Sequence, residues 1–230
     1  MTLENIVRDS TGARLAKAAS KAAILFIPSA MGINEFVDEK LAELARAGFT
    51  ALAWDPFHAV PDLPKDQRSK HTDTVQQDPA VQKEHLRWLD YLQKETGAER
   101  IGVLGFCMGG RMALTLAAAD ARVKASVGYY PTMRDPKPAS VIDLPAVAPS
   151  IACPVLVHCP GLDVLTSHAS FHKLRGALES RADAATLMNW YPKAHHGFQS
   201  KSKAENAGDY AAGLIAWPAT MAFLAAALKP

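Results

Sequence analysis

An α/β fold with a mainly parallel central sheet and helices on both faces is predicted by three features of this chain. Short apolar runs alternate with helical patterns along its 230 residues. Those runs are near-continuous rather than alternating, as expected of strands buried on both faces. No internal repeat, low-complexity tract or shift of composition marks a second unit, so residues 1–230 read as one domain.

Each element has its own signal. Ala22-Ala23-Ile24-Leu25-Phe26-Ile27 reads as a strand ended by Pro28-Ser29. Asn34 is placed to cap a helix through Ala47, with Phe36, Lys40, Leu41 and Leu44 at helical spacing and Gly48 as its stop. Thr50-Ala51-Leu52-Ala53-Trp54 is the next strand, and a polar, proline-rich loop is expected from there to Asp78. Asp78-Pro79 supplies a cap and first-turn proline for a helix carrying Val81, His85, Leu89 and Leu92 and stopping at Gly97. Ile101 to Phe106 and Lys124 to Tyr130 are strands flanking an Ala/Leu-rich helix. The Pro- and Ala-rich stretch from Thr132 to Ala152 is expected to cross the active-site side. A strand at Pro154 to His158, a helix near Ser167 to Ser180, a strand at Thr186 to Tyr191 and a last helix complete the series. Pro218 inside that last helix predicts a kink or break.

Composition bounds the function. Hydrophobic content of 49% and charged content of 21% are globular values, and a net charge of +2 points to neither nucleic acid nor an acidic partner. The basic stretch from Lys65 to His71 reads as a solvated loop, or as part of an entrance favouring anions. Cys107, Cys153 and Cys159 have no zinc spacing and form no even disulfide framework, and the last two read as small core residues. The first residues lack a charged-then-apolar signal, and no apolar run is expected to approach membrane-spanning length. A cytoplasmic, reduced protein is expected, acting as a monomer or weak homodimer without membrane partner, metal or cofactor. Neither a phosphate-cradling loop nor a dinucleotide fingerprint is present.

The chemistry is carried by Gly105-Phe106-Cys107-Met108-Gly109-Gly110, where an apolar strand enters a Gly-x-Cys-x-Gly turn and a helical run leaves it. This is the pattern of a nucleophile elbow with cysteine in place of serine. Composition alone would produce roughly 0.01 such matches in a chain of this make-up. The elbow puts Cys107 at a helix N-terminus, where free N–H groups favour thiolate. A thiol nucleophile needs a base, and the base an orienting partner, in loops after the carboxyl ends of strands. Asp163 follows the strand at Val155, and His196 follows the strand at Thr186. The order nucleophile, acid, histidine is that of the α/β-hydrolase fold. His168 and His172 have a metal-capable spacing but no third ligand, and read as surface residues.

These segments resemble the dienelactone hydrolases, carboxymethylenebutenolidase-like α/β-hydrolases. The resemblance covers nearly the whole chain. It rests on Met31-Gly32-Ile33-Asn34, Ala53-Trp54-Asp55-Pro56-Phe57, the elbow, Val127-Gly128-Tyr129-Tyr130, His158-Cys159-Pro160-Gly161-Leu162-Asp163 and Ala194-His195-His196-Gly197-Phe198. It implies that Cys107 is the nucleophile, Asp163 the acid, and His196 rather than His195 the histidine. The oxyanion hole would be the backbone N–H groups of Met108 and Ala30, each donor contributing about 3 kcal/mol to lowering the barrier. Small esters or enol-lactones are the implied substrates. Ser29, Lys201 and Tyr129 are candidate pocket residues. Two positions depart from the pattern: Ser29 stands where the lactone enzymes carry a glutamate, and Ser200, followed by Lys201, where they carry an arginine. Serine cannot take a proton from the thiol at neutral pH, and lysine is a point charge rather than a bidentate fork. The alternatives are a thioesterase or peptidase-like hydrolase on this scaffold, a redox-sensing thiol protein, and a non-catalytic binding module.

Overall fold

The computed structural model describes residues 2–8, 10–74, 78–135, 137–202 and 205–228, with no side-chain description for 73 and 74. Residues 75–77 of the first expected loop and 136 of the second lie outside the described residues. Eight strands form one sheet: β1 Leu3–Arg8, β2 Thr11–Ala16, β3 Ala22–Ile27, β4 Thr50–Asp55, β5 Arg100–Phe106, β6 Val123–Tyr129, β7 Val155–Leu162 and β8 Thr186–His195. Their order is β1-β2-β4-β3-β5-β6-β7-β8, so β1 and β8 are the margins. Every pair from β4 to β8 is parallel, while β1–β2 and β2–β4 are antiparallel. The mainly parallel sheet expected from the apolar runs is the sheet observed.

The helices are α1 Glu35–Arg46, α2 Lys65–Thr74, α3 Asp78–Glu95, α4 Met108–Ala119, α5 Leu144–Val147, α6 His168–Glu179 and α7 Ala207–Leu228. Side chains alternate across each strand, and the two faces of the sheet bury different sets. Leu25, Ile27 and Val103 pack with Leu89 and Leu92 of α3, Leu114 of α4, and Phe171 and Leu174 of α6. Ile24, Phe26, Leu104 and Val127 pack on the other side with Leu41 and Leu44 of α1 and with Ala216 and Leu224 of α7. Asn34 caps α1 by accepting from the Val37 N–H at 3.1 Å, and Ser167 caps α6 through the Ser170 N–H at 3.1 Å.

Three expectations are corrected, and one element was not anticipated. The hairpin β1–β2 carries no clear apolar signal, because β1 is half-exposed throughout. Lys65 to His71 is not loop but most of α2, a polar helix without an apolar stripe. Arg68 of α2 donates to the Met31 carbonyl at 3.0 Å, which sets the helix beside the β3–α1 turn. Pro218 does not break α7, which runs unbroken from Ala207 to Leu228. Finally, α7 has 22 residues and a mean hydropathy of 1.7 over an 18-residue stretch, so among the described residues one helix is long and apolar enough to cross a membrane. It lies along the sheet with Ala212, Ala216, Thr220, Leu224 and Leu228 buried, and leaves Leu214 and Ile215 exposed.

Two histidines are locked inside this fold. His158 on β7 is fully buried, with Nδ1 2.9 Å from the Tyr191 hydroxyl and Nε2 2.9 Å from Thr220 Oγ1. His85 on α3 sits edge-on against Trp54 with ring centroids 4.6 Å apart. Burial lowers both to about 3, so both are neutral in the folded chain. The unfolded chain takes up these protons below about pH 6.5. Stability therefore falls as pH drops through the range from 6.5 toward 3, by up to about 1.4 kcal/mol per pH unit and site. The expected result is a melting temperature several degrees lower at pH 5 than at pH 7, with a shallower slope in His85→Leu. A melting temperature independent of pH over that range would count against this linkage.

Candidate active site

The β5–α4 turn places Cys107 at φ 59°, a left-handed backbone that a side-chain-bearing residue adopts only under strain. The turn is this sharp because α4 lies almost in contact with the strands. A Cβ on Gly105 would stand 2.0 Å from the Gly109 carbonyl oxygen, and a Cβ on Gly109 would stand 2.1 Å from that of Ile27. Cys107 is half-buried, and its Sγ lies 3.2 Å from Thr132 Oγ1.

Asp163 and His196 arrive on adjacent strands. The loop after β7 bears Asp163, and the turn after β8 bears His196. Gly161 lets these strand ends close up, since a Cβ there would meet the Pro192 carbonyl oxygen at 2.5 Å. Asp163 Oδ2 accepts from His196 Nδ1 at 2.9 Å, and Oδ1 accepts from the Leu165 and Thr166 N–H groups at 2.8 and 3.0 Å. The carboxylate side chain is wholly buried, so three donors fix its orientation. With Nδ1 engaged, Nε2 of His196 is buried and without a hydrogen-bond partner among the described residues. The neighbouring His195 is turned elsewhere: its Nδ1 lies 3.2 Å from Asp209, and it is half-exposed.

The charges are coupled. Burial alone would raise the Cys107 thiol, but His196, with smaller contributions from Thr132 and the Met108 N–H, overcomes it and brings the thiol below its ordinary value. Burial alone would lower His196, yet Asp163 and the Cys107 sulfur outweigh it and raise the imidazole to about 9. Both shifts run in the direction that favours a thiolate beside an imidazolium. Cys153 and Cys159 go the other way, pushed up by burial, Cys153 to about 11.

Two hollows meet at Cys107. The larger, about 340 Å³, is lined by Ser29, Ala30, Phe36, Cys107, Tyr130 and His196, with Lys201 at its rim. The smaller, about 90 Å³, is lined by Ala30, Cys107, Met108, Met112 and Thr132 among others. The structure thus gathers Cys107, His196, Met108, Ala30, Ser29 and Lys201 around the two hollows that meet at Cys107. The Ser29 hydroxyl is within reach of the Met31 N–H at 3.3 Å, and Lys201 stands 3.7 Å from Glu205. Tyr129 is not among them, which corrects its assignment. It is fully buried, 2.7 Å from Thr220 through its hydroxyl and stacked on Phe106. Its neighbour Tyr130, at φ 36°, turns its ring toward His196 instead, with centroids 4.9 Å apart. Thr132 carried no motif and is reached only because two loops converge.

No group of three potential metal ligands occurs among the described residues. His168 donates to the Gly161 carbonyl at 2.7 Å, and His172 stacks on Trp190.

Comparison with known proteins agrees with this architecture. A probable 2-oxo-3-(5-oxofuran-2-ylidene)propanoate lactonase of Bradyrhizobium sp is 34% identical over 146 residues, which are 59% of this chain and 57% of that relative. The match therefore spans little more than half the length of that relative. A carboxymethylenebutenolidase of Rhodococcus opacus is 28% identical over 208 residues, 87% of this chain and 79% of its own. In fold, the chain superposes on a dienelactone hydrolase-like promiscuous phosphotriesterase from metagenomic libraries with a TM-score of 0.75 over 99% of both chains, at 19% identity. The sequence model of the dienelactone hydrolase family matches residues 11–228, and the chain belongs to that family.

Proposed function

We propose that this chain hydrolyses small esters or enol-lactones through an acyl-enzyme on Cys107, with His196 and Asp163 as its helpers. The observation that carries this reading is His196: held by Asp163 at Nδ1, it keeps an unpartnered Nε2 in the hollow where the lowered Cys107 thiol lies. The thiolate attacks the carbonyl carbon, forming a C–S bond while the carbonyl electrons move to oxygen. That oxyanion sits against the N–H groups of Met108 and Ala30. As the carbonyl re-forms and the C–O bond breaks, the His196 imidazolium gives its proton to the departing oxygen. Neutral His196 then takes a proton from water, hydroxide adds to the thioester, and the thiolate leaves as the acid is released. A thiolate is expelled more readily than an ordinary alkoxide, so enolate and phenolate leaving groups are favoured over simple alkyl esters.

The test is turnover of p-nitrophenyl acetate and an enol-lactone, followed by an acid quench and mass analysis of the chain. A 42 Da acetyl adduct on the Cys107 peptide is expected during p-nitrophenyl acetate turnover, calculated from the mass of a C2H2O addition (about 42 Da). Sulfenate formation with peroxide and no acyl adduct would favour the redox reading and end this one.

The same pair sets a pH window. Above about 9 His196 loses its proton, so the leaving oxygen is no longer protonated and the thiolate loses its cationic neighbour. At acid pH the thiolate itself is protonated. The kcat/KM profile is therefore expected to be a bell whose alkaline limb falls near 9. A flat profile through pH 10 would remove His196 as the acid.

A further inference from the structure

The two hollows that meet at Cys107 differ in what they share with the chemistry. Cys107, Ala30 and Ser69 line both. His196 and Tyr130 line only the larger, and Met108 and Met112 only the smaller. A carbonyl carbon attacked by Cys107 carries three other substituents at the tetrahedral stage. Its oxygen faces the N–H groups of Met108 and Ala30. The oxygen that departs must face His196, because that is where the proton comes from. One direction remains for the acyl carbon chain: away from His196, past Thr132 and Met108, into the smaller hollow.

We infer that the smaller hollow is an acyl-binding chamber that restricts this enzyme to acyl groups of about two to four carbons, while the larger one accepts bulky aromatic leaving groups. This rests on the reading of Cys107 and His196 just given. Size is the first support. At about 90 Å³ the chamber holds roughly three to six water-sized groups, against a hollow of about 340 Å³ on the other side. The second support is how its wall is built. Met112 is 4% exposed and packed into the core, so the back of the chamber does not yield easily. Arg111 and Asp78, both in the chamber's own lining, form a buried ion pair that ties the first turns of α4 and α3 together. Asp78 also accepts from the Ile142 N–H at 2.8 Å, holding the loop that brings Val141 over the chamber. A longer chain would have to push apart a charged pair whose side chains are each at least nine-tenths buried, leaving the charges poorly compensated. The larger hollow, with Phe36, Met31 and Tyr130 in its walls, offers flat apolar surface to a ring.

The test is a matrix of esters assayed with the full-length chain and two variants. With p-nitrophenol as the common leaving group, kcat/KM is expected to hold from acetate to butanoate and to fall at least 20-fold by octanoate. With acetate as the common acyl group, 1-naphthyl and 4-methylumbelliferyl esters are expected within about 5-fold of the p-nitrophenyl ester. Met112→Ala lengthens the chamber and is expected to raise the octanoate-to-acetate ratio at least 10-fold. Val141→Ala opens the loop side, outside the packed core, and is expected to move the ratio in the same direction should Met112→Ala not fold. Octanoate turned over as well as acetate by the native chain, with Cys107 still required, would overturn the chamber and leave the hydrolase reading standing. Equal rates for native chain and Cys107→Ala on every ester would instead end the hydrolase reading itself.

Discussion

Cys107→Ala is expected to lower kcat/KM for p-nitrophenyl acetate by at least about 10⁴-fold, leaving only what the remaining site achieves by binding and backbone donors. The size of the loss follows from the division of labour. In the proposed mechanism only Cys107 forms the acyl bond, while His196 and Asp163 act on or through it. Alanine tolerates the same backbone no worse than cysteine, so φ 59° is kept and the variant should fold. A circular dichroism spectrum like that of the native chain is the accompanying control. Asp163→Asn is the informative companion, because it keeps the shape while changing what holds Nδ1 of His196. It should lose a large part of the rate, and the imidazole, no longer held near 9, should give up its proton at lower pH. Native rates in both variants would leave the site without a chemical role.

Gly109→Ala should fail to give a native protein, or lose more than about 4 kcal/mol of stability. In an ordinary helix the same exchange stabilises by about 0.5–1 kcal/mol, because alanine has less freedom to lose. Here the new methyl group would stand 2.1 Å from the Ile27 carbonyl oxygen and 2.4 Å from that of Pro28. Both are backbone atoms of the β3 end, so relief means prising α4 from the sheet that it covers with ten buried residues. The control is Gly176→Ala on the exposed face of α6, where nothing lies within 4 Å of the added atom. That variant should be slightly more stable than the native chain. Thermal melts of the pair decide the matter, and a Gly109→Ala chain melting at the native temperature would show that the elbow is looser than its contacts imply.

The inner strands were legible because burial on both faces leaves long apolar runs. Ala22 to Ile27 and Thr50 to Trp54 coincide with β3 and β4, give or take one residue. The hairpin at the N-terminal side was not, since Leu-Glu-Asn-Ile-Val-Arg of β1 mixes charge and apolar residues on a half-exposed margin. The polar helix α2 escaped for the complementary reason: it buries too little to leave a periodic stripe. Of the kink or break that Pro218 predicts, the break does not occur, because packing of Ala216, Thr220 and Leu224 on the sheet holds α7 together. The elbow could be read directly, as its glycine spacing is imposed by backbone contact. Choosing His196 over His195 needed the family resemblance, since only the fold shows which ring reaches Asp163 and which reaches Asp209. Tyr129 was mistaken for Tyr130 because the chain changes direction between them, and a strand's alternation stops predicting orientation at its last residue.

The β8 margin has a consequence for solution behaviour. This strand ends the sheet, it exposes Leu187 and Trp190, and its ten residues are long enough to template another chain. Pro192 sits within it, with no amide hydrogen to offer, and Lys193 follows. An incoming strand would find its ladder interrupted and a cation at the gap. Stripping away that guard, as in Pro192→Val with Lys193→Thr, invites stacking of one molecule's sheet onto the next.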